Sequence, residues 1–483
     1  MKRFLSTFIF SLIILQATAA EKEGYKIKAR IKGLKDTVCY LAYHYGDKQY
    51  LKDTAQVDSK GNMFFQGKEK LPGGIYMVVL PAKNYFEILI NDQFFSLETD
   101  TSDYVKNMKF SNSKENTLFY EYLRYVNKKG READKVRKEL EKIKDQEDNP
   151  QIQELREQLG EVEREINEFR DNYIKEYPDS FLATVFRGMK DPEVPEPPLL
   201  ENGKVDSTFK FKYYKEHFFD NIDFTDDRIL RTPVYHGKIK QYFEKLTLQY
   251  PDSLIAAADY LIEKSRANKE LFKYTVFYVT YNIETSKLMG ADKVFVHLAD
   301  KYYKTNQAYW LDSAQTARIV DKAKKLKPIL IGKKAPELKM RDINGNIKSL
   351  HGVDKKYTII YFYDPNCGHC KKVTPKLRDL RTRLKDKIET FAVCLDPDEE
   401  QWKKYIEDNK LDWINVTDPY NQTNFRKTYD INSTPIIYLL DENKEIVAKR
   451  IDVEQLGDLL DRLLEKDEDE PLLDTPLEMR QPK

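Results

Sequence analysis

The sequence predicts a multidomain chain: an N-terminal antiparallel β-sandwich, an all-α middle domain and a C-terminal α/β domain. Three observations predict it. At 483 residues the chain is too long for one compact core. Its apolar pattern changes near residue 112 from short β-branched and aromatic runs to a helical period. Last, the continuous apolar run over 357–363 stops at a turn and passes straight into a helical segment, as in an α/β layer. The expected boundaries are 21–111, 112–326 and 327–466, with a leader over 1–20 and a disordered tail over 467–483.

Lys2 and Arg3 precede an apolar run from Phe4 to Leu15 and then the small residues Ala17, Thr18, Ala19 and Ala20. That is the pattern of a secretory leader cleaved after Ala19 or Ala20. The apolar run falls short of the roughly 20 residues that cross a bilayer. The mature protein is therefore expected to be exported, periplasmic and free of stable membrane insertion. The 81 basic and 80 acidic residues nearly cancel, which argues against a nucleic-acid partner.

From residue 24 to 110, the runs Tyr25–Ile31, Val38–Tyr43, Asn62–Gln66, Ile75–Leu80 and Phe86–Ile90 read as strands. Glycine-containing turns at Gly33, Gly61 and Gly73-Gly74 separate them. In the helical part, Ile152, Leu155, Leu159, Val162, Ile166, Phe169 and Tyr173 are spaced alternately 3 and 4 apart. With Val136, Leu140 and Ile143 ahead of Pro150, this reads as a long helical hairpin rather than an intermolecular coiled coil. The tetrapeptide Tyr-Pro-Asp-Ser occurs at 177–180 and again at 250–253. In both places it is expected to stop one helix and cap the next. The proline-rich stretch 191–198 reads as an extended loop.

Only four cysteines are present, Cys39, Cys367, Cys370 and Cys394, too few for a disulfide scaffold. Cys367-Gly368-His369-Cys370 begins where the 357–363 strand has ended at Asp364-Pro365-Asn366 and a helix starts. A helix N-terminus offers unpaired N–H groups and positive potential, which favour thiolate over thiol. Thiolate is the nucleophile of disulfide exchange. Cys367 is expected to attack and Cys370, one turn inward, to resolve the mixed disulfide. Protonated His369 would stabilise the Cys367 thiolate and make the pair more oxidising. A structural zinc site needs four ligands, and only Cys394 and His351 accompany the motif, at no ligand spacing. Cys39 and Cys394 read as buried, inert thiols.

Residues 331–462 resemble the thioredoxin superfamily, in particular its TlpA/ResA-like branch of exported thiol–disulfide oxidoreductases. Ile331 to Gly345 resembles the branch's N-terminal hairpin, and Pro375 the proline inside the active-site helix. Asp396 to Glu399 and Trp413–Thr417 resemble its central helix start and following strand. Ser433-Thr434-Pro435 ahead of Ile436–Leu440 resembles the cis-proline loop. The resemblance implies a thioredoxin-like mixed sheet flanked by helices, with Thr434 and Pro435 contacting substrate. It implies protein thiol and disulfide substrates, an upstream redox partner, and no cofactor or metal. The β-rich and helical segments correspond by layout to accessory domains. Three positions depart from the pattern: Tyr361 replaces the buried aspartate of thioredoxins, Val373 the glutamate of ResA-like proteins, and Asn366 the usual tryptophan. The Cys-Gly-His-Cys sequence is that of protein disulfide isomerases, poised at about −180 mV against about −270 mV for thioredoxin. Two other readings are a copper carrier, needing a third ligand such as His351, and a non-catalytic module with a structural disulfide.

Overall fold

The computed structural model describes residues 23–144, 149–396 and 398–469. The leader expected over 1–20 and the tail beyond residue 469 lie outside the described residues. Two compact units part between Lys240 and Gln241.

The first unit opens with eight strands: β1 (Tyr25–Lys32), β2 (Thr37–Tyr45), β3 (Lys48–Val57), β4 (Asn62–Gly67), β5 (Gly74–Val79), β6 (Tyr85–Ile90), β7 (Phe94–Asp100) and β8 (Lys109–Ser111). They form two four-stranded sheets, ordered β4-β1-β7-β8 and β3-β2-β5-β6. In β1 the residues Ile27, Ala29 and Ile31 are buried while Lys28 and Arg30 face water, the period of 2 that a half-buried strand requires. The sheets are antiparallel except that β1 and β7 run parallel, Ile27 opposite Phe95. The expectation of a purely antiparallel sandwich is corrected there. The chain leaves the first sheet after β1, returns to it once at β4, and has built all four strands of the second before β7 comes back beside β1.

Helices α1 (Lys114–Ile143), α2 (Pro150–Glu176) and α3 (Phe181–Met189) follow. Their apolar faces complete the sandwich core: Phe119, Tyr120, Tyr173, Phe181 and Phe186 belong to the same buried cluster as Ile27, Phe65 and Ile88. Asn116 fastens α1 to β6. Its buried amide accepts from Leu89 N–H at 2.8 Å and donates to Leu89 C=O at 2.7 Å, as a neighbouring strand would. A division at residue 111 therefore does not separate two cores, because the first helices supply apolar surface that the sheets need. The helices α4 (Phe209–Glu216) and α5 (Pro233–Glu244) follow a loop through the proline-rich stretch.

The second unit contains α6 (Pro251–Ser265), α7 (Lys269–Thr285), α8 (Ala291–Leu298) and α9 (Ser313–Leu326) and then the α/β layer. That layer comprises β9 (Lys339–Asp342), β10 (Ile347–Ser349), β11 (Tyr357–Tyr363), α10 (Gly368–Arg383), β12 (Ile388–Cys394), α11 (Glu399–Asn409), β13 (Ile414–Thr417), α12 (Phe425–Thr428), β14 (Ile436–Leu440), β15 (Ile446–Lys449) and α13 (Val453–Asp469). α13 runs to Asp469, past the expected end of the domain at 466. The sheet order is β10-β9-β13-β12-β11-β14-β15. β11 is central, parallel to β12 and antiparallel to β14, and all seven of its residues are buried. It is a mixed sheet with helices against it, and its central strand ends at the cysteine pair.

Candidate active site

β11 delivers the chain to a tight turn. The Asp364 carboxylate accepts the Asn366 N–H at 2.7 Å, and the Asp364 carbonyl accepts the Cys367 N–H at 3.0 Å. Cys367 then occupies the N-cap of α10, with φ −75° and ψ 121°, and its carbonyl takes the first helical hydrogen bond, from Lys371 N–H at 3.1 Å. Cys370 is fully buried in the first turn, while Cys367 is half-buried. The Asn366 amide bridges to Asp396 at 2.8 Å and to Gln401 at 3.0 Å. This ties the turn to the end of β12 and the start of α11.

β14 pairs with β11 so that Ile436 lies opposite Phe362. The Thr434–Pro435 peptide ahead of it is cis. This register sets the loop against the cysteines, and the Cys367 thiol donates to the Thr434 carbonyl at 3.5 Å. Beside Pro435 opens a groove of about 370 Å³, lined by Val373, Ile437, Ile451 and Val453 with Arg450 and Asp452 at its polar side.

The two thiols are driven in opposite directions. Burial pushes Cys367 up, but hydrogen bonds from the Thr434 side chain and the Cys370 and His369 backbone N–H groups outweigh it. The net direction is down. These N–H groups belong to the second and third helical residues, the donors an N-cap side chain ordinarily satisfies. Cys370 is pushed up to about 11, first by burial and further by the neighbouring Cys367 sulfur. One sulfur thus favours the thiolate and the other is held as a thiol.

The sequence of residues 354–446 matches the model of a family described as thioredoxin-like. The C-terminal domain belongs to the thioredoxin-like family. Over 137 residues this thioredoxin-like domain is 28% identical to the thiol-disulfide oxidoreductase ResA of Bacillus cereus, covering 28% of this chain and 78% of that protein. A thioredoxin-like protein of Haemophilus influenzae is 30% identical over 110 residues, 22% of this chain and 63% of its own length. The match thus spans less than two thirds of that relative. A solved domain of a possible thiol-disulfide isomerase from Cytophaga hutchinsonii is 43% identical, covering 30% of this chain and 99% of its own, with a TM-score of 0.28. Upstream, residues 25–119 and 145–327 match two families described as domains of unknown function, DUF4369 and DUF5106.

Of the residues singled out in the sequence, the thioredoxin-like domain brings Cys367, Cys370, Thr434 and Pro435 together. His369 is exposed on the first turn of α10, and its contribution to Cys367 is its backbone N–H. His351 does not join the site; its Nε2 lies 2.7 Å from the Ala335 carbonyl. Among the described residues no group of three or more His, Cys, Asp or Glu side chains is placed to hold a metal ion. Cys394 is buried and pushed up to about 12, first by burial; Cys39 is pushed up to about 11 by the same cause. Sequence reasoning missed a buried trio of hydroxyls behind Cys370. Thr374 Oγ1 lies 2.9 Å from the Tyr361 hydroxyl and accepts from the Tyr405 hydroxyl at 2.8 Å. The one available signal was Tyr361 itself, a hydroxyl-bearing residue at the position where thioredoxins carry a buried aspartate. Thr374 sits one turn beyond Cys370, and Tyr405 comes from a helix whose packing the sequence does not reveal.

Proposed function

We propose that this chain is an exported, periplasmic thiol–disulfide oxidoreductase acting on protein substrates through Cys367 and Cys370. The opposite shifts of the two thiols carry this reading. Cys367 thiolate attacks one sulfur of a substrate disulfide, forming a mixed disulfide and expelling the other substrate sulfur as a thiolate, which takes up a proton. Cys370 gives up its proton and attacks Cys367 Sγ. The bond between Cys367 and the substrate breaks, and the second substrate sulfur leaves as a thiolate and is protonated. The substrate disulfide is reduced by two electrons and the Cys367–Cys370 pair is oxidised. The reverse order oxidises a substrate dithiol. Thr434 and Pro435 face Cys367 and hold the substrate chain, and the groove beside them accepts an apolar side chain. The Cys-Gly-His-Cys sequence supports a poise nearer the isomerases than the reductases. The upstream units serve partner recognition, and no organic cofactor or metal is required.

A redox titration of the full chain against glutathione tests this. The pair should equilibrate at a potential near that of the isomerases, about −180 mV. Cys367→Ser should abolish turnover of a disulfide-bonded protein substrate. A potential below about −300 mV, the range of structural disulfides, would overturn the proposal.

A further inference from the structure

Resolution of the mixed disulfide requires Cys370 to ionise in a buried place, and this inference rests on the exchange reaction proposed above. Facing Cys370 are Tyr361 from β11, Tyr405 from α11, Cys394 from β12, Cys367 on its own helix, Thr434 from the loop ahead of β14, and the Asp364 backbone. None of the side chains among them is a carboxylate or an imidazole. Burial and the Cys370 sulfur both push the Tyr361 hydroxyl up, so it is a proton donor and not a base.

One polarity of the trio leaves the Tyr361 proton unused within it. Tyr405 donates its proton to Thr374 Oγ1 at 2.8 Å. Thr374 has a single proton, and the Tyr361 oxygen is 2.9 Å away to receive it. The Tyr361 proton is then free for the neighbouring Cys370 sulfur. A hydroxyl whose oxygen already accepts a bond is a stronger donor, because chained hydrogen bonds polarise one another. The rigidity is built in. Tyr361 is fully buried, stacked on Tyr363 with ring centroids 5.2 Å apart, and Tyr363 is itself held by the Trp402 indole N–H at 2.9 Å.

We infer that the Tyr361 hydroxyl, oriented by Thr374 and Tyr405, donates a hydrogen bond to the Cys370 sulfur as it becomes a thiolate and so supports the resolving step. The Cys370 proton passes to water, and the departing substrate thiolate takes one up, so the step is balanced without a protein base. Tyr361 stabilises the anion where a carboxylate would instead remove the proton.

The test uses the full chain carrying Cys367→Ser, so that Cys370 reacts alone at this site. Its reaction with a small alkylating agent near pH 9 should slow about tenfold when Tyr361→Phe is added, the equivalent of one pKa unit. A merely structural role predicts the reverse, since a loosened core exposes the thiol and speeds alkylation. An unchanged or faster rate would therefore overturn the inference. With Cys367 and Cys370 intact, Tyr361→Phe should slow resolution of a preformed mixed disulfide by about tenfold while leaving attack by Cys367 within about twofold. Should that variant fail to fold, Thr374→Val, which removes the hydroxyl oriented on Tyr361, must slow Cys370 alkylation in the same direction; no slowing overturns the inference. The alkylation readout needs no turnover, so an inactive wild-type chain would defeat the exchange proposal and leave this measurement decisive by itself.

Discussion

At the scale of single residues the chemistry rests on where two thiols sit along one helical turn. An N-cap sulfur meets unpaired N–H groups, and a sulfur three residues later meets the core. Alkylation of the reduced full chain across pH should therefore give two well-separated transitions. Cys367 reacts with a midpoint below the usual thiol range of about 8.5, and Cys370 with one near 11. Two thiols ionising together would contradict it. The same values set how stability changes with pH. A thiol whose folded pKa lies above its unfolded value stabilises the fold fully below the unfolded pKa, and loses that contribution as pH rises through the folded one. Cys370 at about 11 and Cys394 at about 12 therefore predict falling stability above pH ~8.5. Replacing both by alanine should flatten the slope of unfolding free energy against pH between about 8.5 and 10. Replacing the exposed His369 by alanine keeps the backbone N–H that Cys367 uses, so the potential of the pair should move by less than about 30 mV, the equivalent of roughly 1.4 kcal/mol. The cysteines and the cis-proline loop were legible because their spacing and order along the chain carry the pattern. The hydroxyl trio was not, since three residues from three elements meet only through packing.

At the scale of elements, the repeated Tyr-Pro-Asp-Ser shows how far local sequence goes. In the first copy Ser180 caps α3, its hydroxyl accepting from Ala183 N–H at 3.1 Å. In the second the helix begins earlier: Tyr250 is the N-cap, Pro251 opens α6, and no side chain caps it. The shared serine thus does different things, and the expectation of one capping role holds only at the first site. Ser180→Ala should cost about 1 kcal/mol in chemical unfolding followed by circular dichroism, while Ser253→Ala should cost only a few tenths. The heptad stripe resolves as an intramolecular hairpin: Phe169 of α2 packs on Tyr122 and Tyr125 of α1 at 5.7 and 4.9 Å, and Lys129 pairs with Glu165. Strands with buried faces were mostly legible from their apolar runs, although β7, which buries Phe95, Leu97 and Thr99 in alternation, was not read. β3 was not legible, because it is an edge strand whose first five residues are all exposed. Its sequence, Lys-Gln-Tyr-Leu-Lys, need satisfy only one neighbouring strand and shows no apolar period.

At the scale of the whole molecule, the division into units does not follow the change from helical to α/β sequence. Within the second unit, Lys449 at the end of β15 is buried against Asp292 of α8 and donates to the Ile329 carbonyl at 2.6 Å. Burial lowers the Lys449 pKa, and Asp292 opposes that shift. A sheet that ends on a buried ammonium depends on the helix supplying its counter-charge. Asp292→Asn leaves the cation buried without its partner, which should destabilise this unit by about 3 to 5 kcal/mol. Replacing both partners by apolar residues, Asp292→Leu with Lys449→Met, should recover most of that loss, because the desolvation cost of the pair disappears with its attraction. The measurement is unusually clean in this chain. Its three tryptophans, Trp310, Trp402 and Trp413, all lie in the second unit, so their fluorescence during urea unfolding reports that unit alone. Circular dichroism reports both units, and the transition absent from fluorescence belongs to the first. If Asp292→Asn left the tryptophan transition within about 0.5 kcal/mol of wild type, the helices before residue 327 would not be integral to the fold that carries the cysteine pair.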